Sequence, residues 1–265
     1  MIAASIVTYN TDSEELARCL RSLDPGIFNC IYVVDNSSCK ATEDTCRRFP
    51  NTEYIPSENI GYGAAHNIAL RKSLALRYDY HLVLNPDIEF SPAAIGKIIR
   101  YMDANTDIGA LQPIILNPDG SMQYTVRLLP TPMDLILRRF LPEWICRRQR
   151  DRYELRHIDH SETFNVPVIQ GSFMFLRCSA INKVGLFDER FFMYPEDIDL
   201  TRRIHRHFRT VSFPDVTVIH DHRAQSYHDP RLLRIHIVNM IRYFNKWGWL
   251  FDSERRRFNS PLIKK

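Results

Sequence analysis

The sequence contains no long hydrophobic run, although 45% of its 265 residues are hydrophobic. No apolar stretch reaches the ~18–20 residues that a transmembrane helix needs. The first residues also lack the basic start of a secretory signal, since the polar Thr8, Tyr9 and Asn10 follow soon after Met1. We therefore expect a cytoplasmic protein whose hydrophobic residues form a globular core.

Paired cysteines and a strong charge of one sign are also missing. No two of the six cysteines form a C-x-x-C pair, so the sequence predicts neither a zinc site nor a redox motif of that spacing. Scattered thiols are typical of a reducing compartment. Lys and Arg total 35 and Asp and Glu total 31, and the net charge of +4 is too small to predict a nucleic-acid partner.

Short runs of β-branched residues alternate with helical patterns over the first part of the chain. We predict strands over residues 2–8, 31–34, 53–55 and 81–84, and helices over 11–23, 41–48 and 64–77. Thr11 and Glu14 form a capping box that starts the first helix. Strands separated by helices predict an α/β fold with a parallel sheet and right-handed crossovers.

The alternation changes after residue 108. We predict a strand over 108–116 that returns as a hairpin over 121–126, regular patterning over 168–177 and a helix over 179–184. A helix over 197–207, a strand over 216–219 and an amphipathic helix over 232–247 follow. The basic tail after Ser253 is expected to be frayed.

Four polar clusters fall where the first four predicted strands end or just beyond. They comprise residues 8–10, 35–38, 59–63 and 85–87. Because ligands bind at the carboxyl edge of open α/β sheets, we expect these clusters to share one crevice. Each cluster alone is ordinary turn chemistry, but four of them at consecutive strand ends indicate a nucleotide site.

Two residues could hold a divalent cation at this edge. Asp87 follows Pro86 just past a strand, and hard cations prefer such oxygen ligands together with substrate phosphates. A turn aspartate that caps a helix is the alternative, and Asp87 alone favours it. His220 ends a strand and by itself is a structural histidine. It becomes a ligand, better suited to Mn²⁺ than to Mg²⁺, only if it reaches Asp87.

A second acidic centre lies at a predicted helix start. Glu196, Asp197 and Asp199 follow an aromatic stretch, where desolvation raises a carboxyl pKa and the helix N-terminus lowers it. A general base that accepts a hydroxyl proton needs such a balance. N-capping acids are the alternative, which is weaker here because three acids in four residues repel one another. Arg202 and Arg203, at helical spacing, could offset part of that charge.

Taken together, these motifs resemble those of a known family. In chain order they are residues 6–10 (IVTYN), 33–38 (VVDNSS), 59–63 (NIGYG), 85–87 (NPD), 171–174 (GSFM), 187–192 (FDERFF), 196–200 (EDIDL) and 218–220 (VIH). The set resembles family 2 glycosyltransferases with the GT-A fold, and within them the bacterial rhamnosyltransferase-like enzymes of O-antigen and cell-wall polysaccharide synthesis. The match runs from about Ile2 to His222.

The resemblance implies a single Rossmann-like, mostly parallel sheet with a C-terminal extension on the acceptor side. The GT-A domain would span residues 1–222, with a nucleotide-binding half over about 1–115 and an acceptor and catalytic half over about 116–222. A basic insert would occupy about 128–160, and residues 223–265 would form a helical extension.

The resemblance also implies roles for individual residues. Those that hold the nucleobase and ribose or line the sugar-nucleotide cleft are Thr8, Asn10, Asp35, Asn36, Ser37, Asn59, Gly61, Gly63, Asn85 and Asp87. Asp197 matches the catalytic base, with Glu196 beside it. Asp87 matches the last acid of the D-x-D metal motif, and His220 matches a histidine that completes a site for Mg²⁺ or Mn²⁺. Asn85 replaces the first Asp of that motif, so metal binding should be weaker without nucleotide.

The function implied is metal-dependent, inverting transfer of L-rhamnose from dTDP-rhamnose to a glycan or polyprenyl-diphosphate-linked acceptor. UDP-galactofuranose, UDP-glucose and UDP-N-acetylhexosamine remain alternative donors. A nicotinamide-dependent oxidoreductase is disfavoured, because no G-x-G-x-x-G follows the first strand. A non-catalytic nucleotide-sugar-binding subunit is also disfavoured, since it would be expected to lose the acids at 87, 196 and 197.

Arginines crowd the basic insert. They are Arg138, Arg139, Arg147, Arg148, Arg150, Arg152 and Arg156. Ile136, Phe140 and Trp144 share a helical row beside them, with Leu137, Leu141 and Ile145 alongside, although Pro142 must kink or interrupt the helix.

This pattern is typical of an interfacial segment on anionic lipid, here the inner face of the plasma membrane. A helix packed on the domain, or a dimer contact, is an equal alternative. Arginine can also pair with the diphosphate of an acceptor. Residues 247–257 offer a second, weaker membrane candidate.

Overall fold

The computed structural model describes residues 1–135, 143–221 and 230–263. The described strands are β1 Ile2–Thr8, β2 Cys30–Asp35, β3 Thr52–Pro56, β4 Tyr80–Leu84, β5 Ile88–Glu89, β6 Ile108–Leu116, β7 Met122–Gln123, β8 Phe164–Asn165, β9 Phe173–Arg177 and β10 Arg209–His220. The described helices are α1 Ser13–Arg21, α2 Lys40–Cys46, α3 Tyr62–Ala75, α4 Ala93–Ala104, α5 Glu143–Tyr153, α6 Cys178–Val184, α7 Glu196–His205, α8 Pro230–Trp247 and α9 Ser253–Ile263.

All of these strands belong to one sheet, ordered β3-β2-β1-β4-β9-β6-β10-β5, with β7 on β6 and β8 on β10. β3, β2, β1 and β4 are mutually parallel, and β6 is parallel to β10. β9 runs antiparallel between β4 and β6 and so joins the two parallel groups. The expected α/β fold with a mostly parallel sheet is confirmed, and the antiparallel strands at its centre and edge are additions that the alternation did not predict.

Hydrophobic residues cover both faces of the central strands, which explains their continuous apolar runs. On one face, Ala4 and Ile6 of β1 pack in the same cluster as Leu16 and Leu20 of α1. On the other face, Val7 packs with Ala65 of α3. The layers of helices leave the carboxyl ends of the strands as the edge where a ligand can approach.

One local prediction was wrong. The first helix is capped by Asp12 rather than Thr11, because the Asp12 carboxylate accepts hydrogen bonds from the N–H groups of Glu14 and Glu15 at 3.0 and 3.1 Å. Within the regularly patterned residues 168–177, strand β9 begins at Phe173, and Val168 forms an isolated bridge to Arg127.

The tail beyond Ser253 is not frayed, because a buried arginine fixes α9 to α7. Arg202 donates to both carboxylate oxygens of Asp252 at 2.8 and 2.7 Å and to Glu254 at 2.7 Å. Its guanidinium also lies over the ring of Trp247, 4.2 Å from the centroid. Asn259 exchanges two 2.9 Å hydrogen bonds with the backbone of Leu129. These buried polar contacts could not be read from the charge of the tail.

Replacement of Arg202 by Met is expected to destabilise the protein by about 3–5 kcal/mol, because it leaves the Asp252 carboxylate buried without its cation. Urea unfolding measures the change. The control is Arg257→Met on α9, whose side chain is 67% exposed and whose loss should cost less than about 1 kcal/mol. Equal losses in both variants would contradict this account of the C-terminal helix.

Candidate functional site

Asp35 organises the loop that follows β2. Its carboxylate accepts hydrogen bonds from the Thr8 and Ser37 hydroxyls at 3.0 and 2.6 Å, from the Cys39 N–H at 2.6 Å and from the Tyr54 hydroxyl at 3.2 Å. Burial alone would raise the pKa of Asp35, but hydrogen bonds from Ser37, Cys39 and Thr8 outweigh burial and lower the pKa. Asp35 is fully buried, so its observed contacts shape the loop, and its role toward a nucleotide stays a prediction.

The next residue offers an unused acceptor beside this loop. The Asn36 side-chain amide donates to Asn59 Oδ1 at 3.4 Å and lies 3.5 Å from the Gly61 carbonyl. Asn36 Oδ1 is buried and has no hydrogen-bond partner among the described residues. A buried acceptor in this state is suited to a donor from a ligand, such as a base N–H. Asn10, at the end of β1, takes a positive φ of 51° and its N–H donates to Ser37.

The glycines after β3 permit a close approach of two chain segments. A Cβ on Gly61, whose φ is +95°, would lie 2.3 Å from the carbonyl oxygen of Phe192. The Tyr62 N–H donates to that same oxygen at 2.9 Å. At Gly63 a Cβ would lie 3.0 Å from Phe187 and 3.3 Å from the Glu196 side chain. The glycines therefore bring the predicted nucleotide loop against the segment that carries the acids.

Tyr62 was missed by sequence reasoning, which singled out only the glycines on either side of it. Its hydroxyl lies 2.8 Å from Asn85 Oδ1 and 2.8 Å from the Gly171 carbonyl. Burial raises the pKa of Tyr62 well above its ordinary value, and the nearby carboxylates of Glu196, Asp197 and Asp87 raise it further. The hydroxyl therefore stays protonated and links the strand end at Asn85 to the loop at Gly171.

Asp87 and His220 lie side by side, although 133 residues separate them in the chain. His220 Nε2 is 3.2 Å from Asp87 Oδ1, and the Asp221 N–H donates to the Asp87 carbonyl at 3.0 Å. The pairing of β5 with the end of β10 causes this approach. The structure thus meets the condition under which His220 becomes more than a structural histidine.

Gln123 on β7 fixes the tautomer of His220 and was also missed from the sequence. Its Nε2 donates to Asn117 Oδ1 at 2.6 Å and to the His220 carbonyl at 2.8 Å, so its Oε1 faces His220 Nδ1 at 2.9 Å as an acceptor. Nδ1 must then carry the proton, which leaves a lone pair on Nε2 in neutral His220.

A neutral imidazole nitrogen and a carboxylate oxygen 3.2 Å apart fit a shared divalent cation. No group of three or more His, Cys, Asp or Glu side chains in the described ranges is placed to hold a metal. The pair would therefore need oxygen ligands from elsewhere, and substrate phosphates are such ligands for Mg²⁺ and Mn²⁺.

The two acids at the start of α7 differ in their surroundings. Glu196 is buried, and its Oε2 has no hydrogen-bond partner among the described residues. Asp197 is half-buried and accepts N–H groups from Gly171 at 3.0 Å and from Ile198 at 2.8 Å. Burial and the charge of Asp197 raise the pKa of Glu196. Burial also raises the pKa of Asp197, but these N–H donors oppose the rise, so Asp197 ionises more readily.

The third acid of this helix is structural. Asp199 pairs with Arg203 at 2.9 Å and with Lys246 at 2.6 Å, and it accepts the Trp247 indole N–H at 2.8 Å. The expectation that Arg203 offsets the acids is confirmed. Arg202 does not approach them, since it binds Asp252 and Glu254.

Helix α5 lies within the described part of the predicted arginine-rich insert. Trp144 and Ile145 are 79% and 50% exposed. Arg147 lies 4.0 Å from Asp151, and Arg156 pairs with Glu154 at 2.7 Å. The remaining members of the predicted apolar rows, at positions 136, 137, 140 and 141, lie outside the described residues together with Pro142.

The sequence is similar to known glycosyltransferases. A family model described as glycosyl transferase family 2 matches residues 4–185. An N-acetylglucosaminyl-diphospho-decaprenol L-rhamnosyltransferase of Mycobacterium tuberculosis is 32% identical over 234 residues, covering 83% of this chain and 75% of that protein. The rhamnosyltransferase WbbL of Escherichia coli K12 is 28% identical over 241 residues, which are 87% of each protein.

The fold is similar to that of solved glycosyltransferase structures. GalNAc-T7 with UDP, GalNAc and Mn²⁺ superposes with a TM-score of 0.66 at 15% identity, covering 97% of this chain and 49% of that one. This chain thus spans about half the length of that protein. A Pyrobaculum calidifontis mannosyltransferase in complex with GDP-Man and Mn²⁺ superposes with a TM-score of 0.60 at 16% identity, covering 99% of this chain and 74% of that one.

None of the described helices combines the length and the hydrophobicity that crossing a membrane requires. The family model covers more than half of the chain, and the M. tuberculosis relative exceeds 30% identity over most of it. The expectations of the resemblance are therefore confirmed at the level of family, fold and enzyme class. The chain belongs to glycosyl transferase family 2, within its rhamnosyltransferase-like members, and is a glycosyltransferase with the GT-A fold.

Proposed function

We propose that this glycosyltransferase moves a sugar from a nucleoside-diphosphate donor to an acceptor hydroxyl, with inversion, in the synthesis of a cell-surface glycan. The observation that carries the proposal is the 3.2 Å approach of His220 to Asp87. The ionisable Asp197 belongs to the same site, since Tyr62 links Asn85 to the Gly171 carbonyl, and the Gly171 N–H donates to Asp197.

The proposed donor site lies in the nucleotide-binding half of the domain, which was predicted over about residues 1–115. The loops with Thr8, Asn10, Asp35, Asn36 and Ser37 would hold the nucleoside, and the loops with Asn59, Gly61, Gly63 and Asn85 would line the sugar-diphosphate cleft. The unpartnered Asn36 Oδ1 supports this assignment. The names of the M. tuberculosis and E. coli relatives favour L-rhamnose as the sugar, and dTDP-rhamnose is the donor we propose.

In the proposed reaction, Asp197 takes the proton of the attacking hydroxyl while the acceptor oxygen bonds to the anomeric carbon and the diphosphate leaves. The N–H donors of Gly171 and Ile198 hold its carboxylate in place. Glu196, buried beside it with a raised pKa, stays protonated and adds no second charge. A divalent cation held by Asp87 and His220 would supply positive charge to offset that of the departing diphosphate.

Substitution of Asp197 by Asn is expected to reduce transfer by about 10²–10⁴-fold, because an amide cannot accept the proton. Release of nucleoside diphosphate should be measured with a panel of dTDP-rhamnose, UDP-galactofuranose, UDP-glucose and UDP-N-acetylglucosamine. Binding of dTDP should be unchanged, and the exposed Asp215→Asn variant serves as the control. An active Asn variant would remove Asp197 from the base role, and a chain that binds but never consumes a donor would be a non-catalytic subunit.

Chelation by EDTA is expected to suppress transfer, and Mg²⁺ or Mn²⁺ should restore it. Because Asn85 supplies no carboxylate, Mn²⁺ should bind tightly only when dTDP is present, and Asp87→Asn and His220→Ala should each weaken that binding about tenfold or more. Electron paramagnetic resonance of free Mn²⁺ measures this without turnover. Full activity in metal-free buffer contradicts the roles of Asp87 and His220.

We also propose a peripheral contact with the inner face of the plasma membrane. Trp144 and Ile145 are exposed beside Arg147 and Arg148 on α5. Ile237 and Ile241 are 41% and 43% exposed on α8, so α8 carries a second exposed apolar surface. Arginines next to exposed tryptophan are typical of interfacial segments on anionic lipid.

The triple change Arg147/Arg148/Arg150→Ala is expected to weaken binding to anionic vesicles about 100-fold, at roughly 1 kcal/mol for each arginine. Co-sedimentation with vesicles of phosphatidylglycerol and phosphatidylcholine measures it. The controls are neutral vesicles and the Arg47/Arg48→Ala variant, whose residues lie about 100 positions before α5 in the sequence. Equal partitioning of wild type and triple variant would leave α5 as a packing or dimer segment.

A further inference from the structure

Arg127 is a half-buried cation that the sequence motifs did not single out. None of the described residues gives its guanidinium an ion pair or a hydrogen bond, and its Nε is buried without a partner. The nearest aromatic wall is Tyr153, whose ring centroid is 6.0 Å from the guanidinium carbon. By contrast, Arg202 and Arg203, which are also withdrawn from water, both have carboxylate partners.

Backbone contacts place Arg127 on the side of the site that holds the base. The Arg127 N–H donates to the Val168 carbonyl at 3.0 Å, and Gly171, three residues further on, donates to Asp197 at 3.0 Å. Burial raises the pKa of Asp197, and the positive charge of Arg127 is among the groups that oppose this rise. Arg127 is thus within electrostatic range of Asp197 without forming an ion pair with it.

A partly desolvated guanidinium without an anion is costly, because burial removes hydration that nothing in the described protein replaces. Arginine pairs well with phosphate, since its planar fork matches two phosphate oxygens. We propose that Arg127 is the residue that binds a phosphate group of the acceptor. This inference rests on the proposed function, takes the diphosphate-linked acceptor that the resemblance implies, and names the residue of this chain that would hold it.

The position of Arg127 favours the acceptor over the donor as the source of the phosphate. The donor diphosphate would lie at Asp87 and His220, where Gln123 contacts His220. Arg127 lies four residues after Gln123, so an extended chain can place it up to about 14 Å from the contact between Gln123 and His220. The bridge to Val168 ties Arg127 to the segment that continues to Gly171, whose N–H donates to Asp197. The anion at Arg127 would then lie next to the attacking hydroxyl, as the phosphate of a glycosyl diphosphate does.

The test measures binding of farnesyl diphosphate, a soluble prenyl diphosphate, by calorimetry with the donor site saturated by dTDP and Mn²⁺. Arg127→Gln is expected to weaken this binding about 10- to 100-fold, and Arg127→Lys should restore part of it. The control is Arg100→Gln, an exposed arginine on α4 that should leave binding unchanged. Circular dichroism melting verifies that the variants fold.

Unchanged farnesyl diphosphate binding in Arg127→Gln overturns the inference. A matching loss of dTDP affinity would also overturn it, because Arg127 would then serve the donor. The proposed function fails separately, if no sugar nucleotide in the donor panel is consumed. If a donor is consumed but the affinity for farnesyl diphosphate does not depend on Arg127, only this inference is rejected.

Discussion

The site depends on the contact between the Gly61–Tyr62 peptide and the carbonyl of Phe192. At Gly61 a side chain would lie 2.3 Å from that oxygen, and the Tyr62 N–H donates to it at 2.9 Å. This contact brings the loop after β3 against the segment that leads into α7. Gly63 consequently lies beside the start of α7, since a Cβ there would be 3.3 Å from the Glu196 side chain. A larger residue at Gly61 would have to separate them.

Hydrogen bonds rather than exposure alone distinguish the acids around this contact. Asp197 accepts two N–H groups and is half-buried, whereas Glu196 is buried with an unpartnered oxygen. Asp199 is neutralised by Arg203 and Lys246. The same first helical turn therefore contains one acid held by two N–H donors, one whose pKa is raised by burial and one that fixes α8 to α7. Three neighbouring acids in the sequence thus have three different physical roles.

The sequence predicted well where periodicity and local turn chemistry decide the structure. The strands β1, β2, β4 and β6 were found within one residue of their observed ends or at them, because buried β-branched runs leave little alternative. Predictions failed where contacts between residues distant in the sequence determine the structure. The C-terminal tail, expected to be frayed, forms helix α9, and Arg202 on α7 binds Asp252 at its start. Gln123 and Tyr62 carried no signal that separates them from ordinary polar and aromatic residues.

The sequence by itself determined the fold class, the family and the set of candidate residues, because those follow from short-range patterns and from motifs in order. The tertiary structure alone decided which of these residues meet. His220 approaches Asp87 since β5 and β10 pair across 133 residues, and its tautomer follows from Gln123 on a third strand. Burial and hydrogen-bond donors set the difference between Glu196 and Asp197, and these depend on packing that no local pattern records.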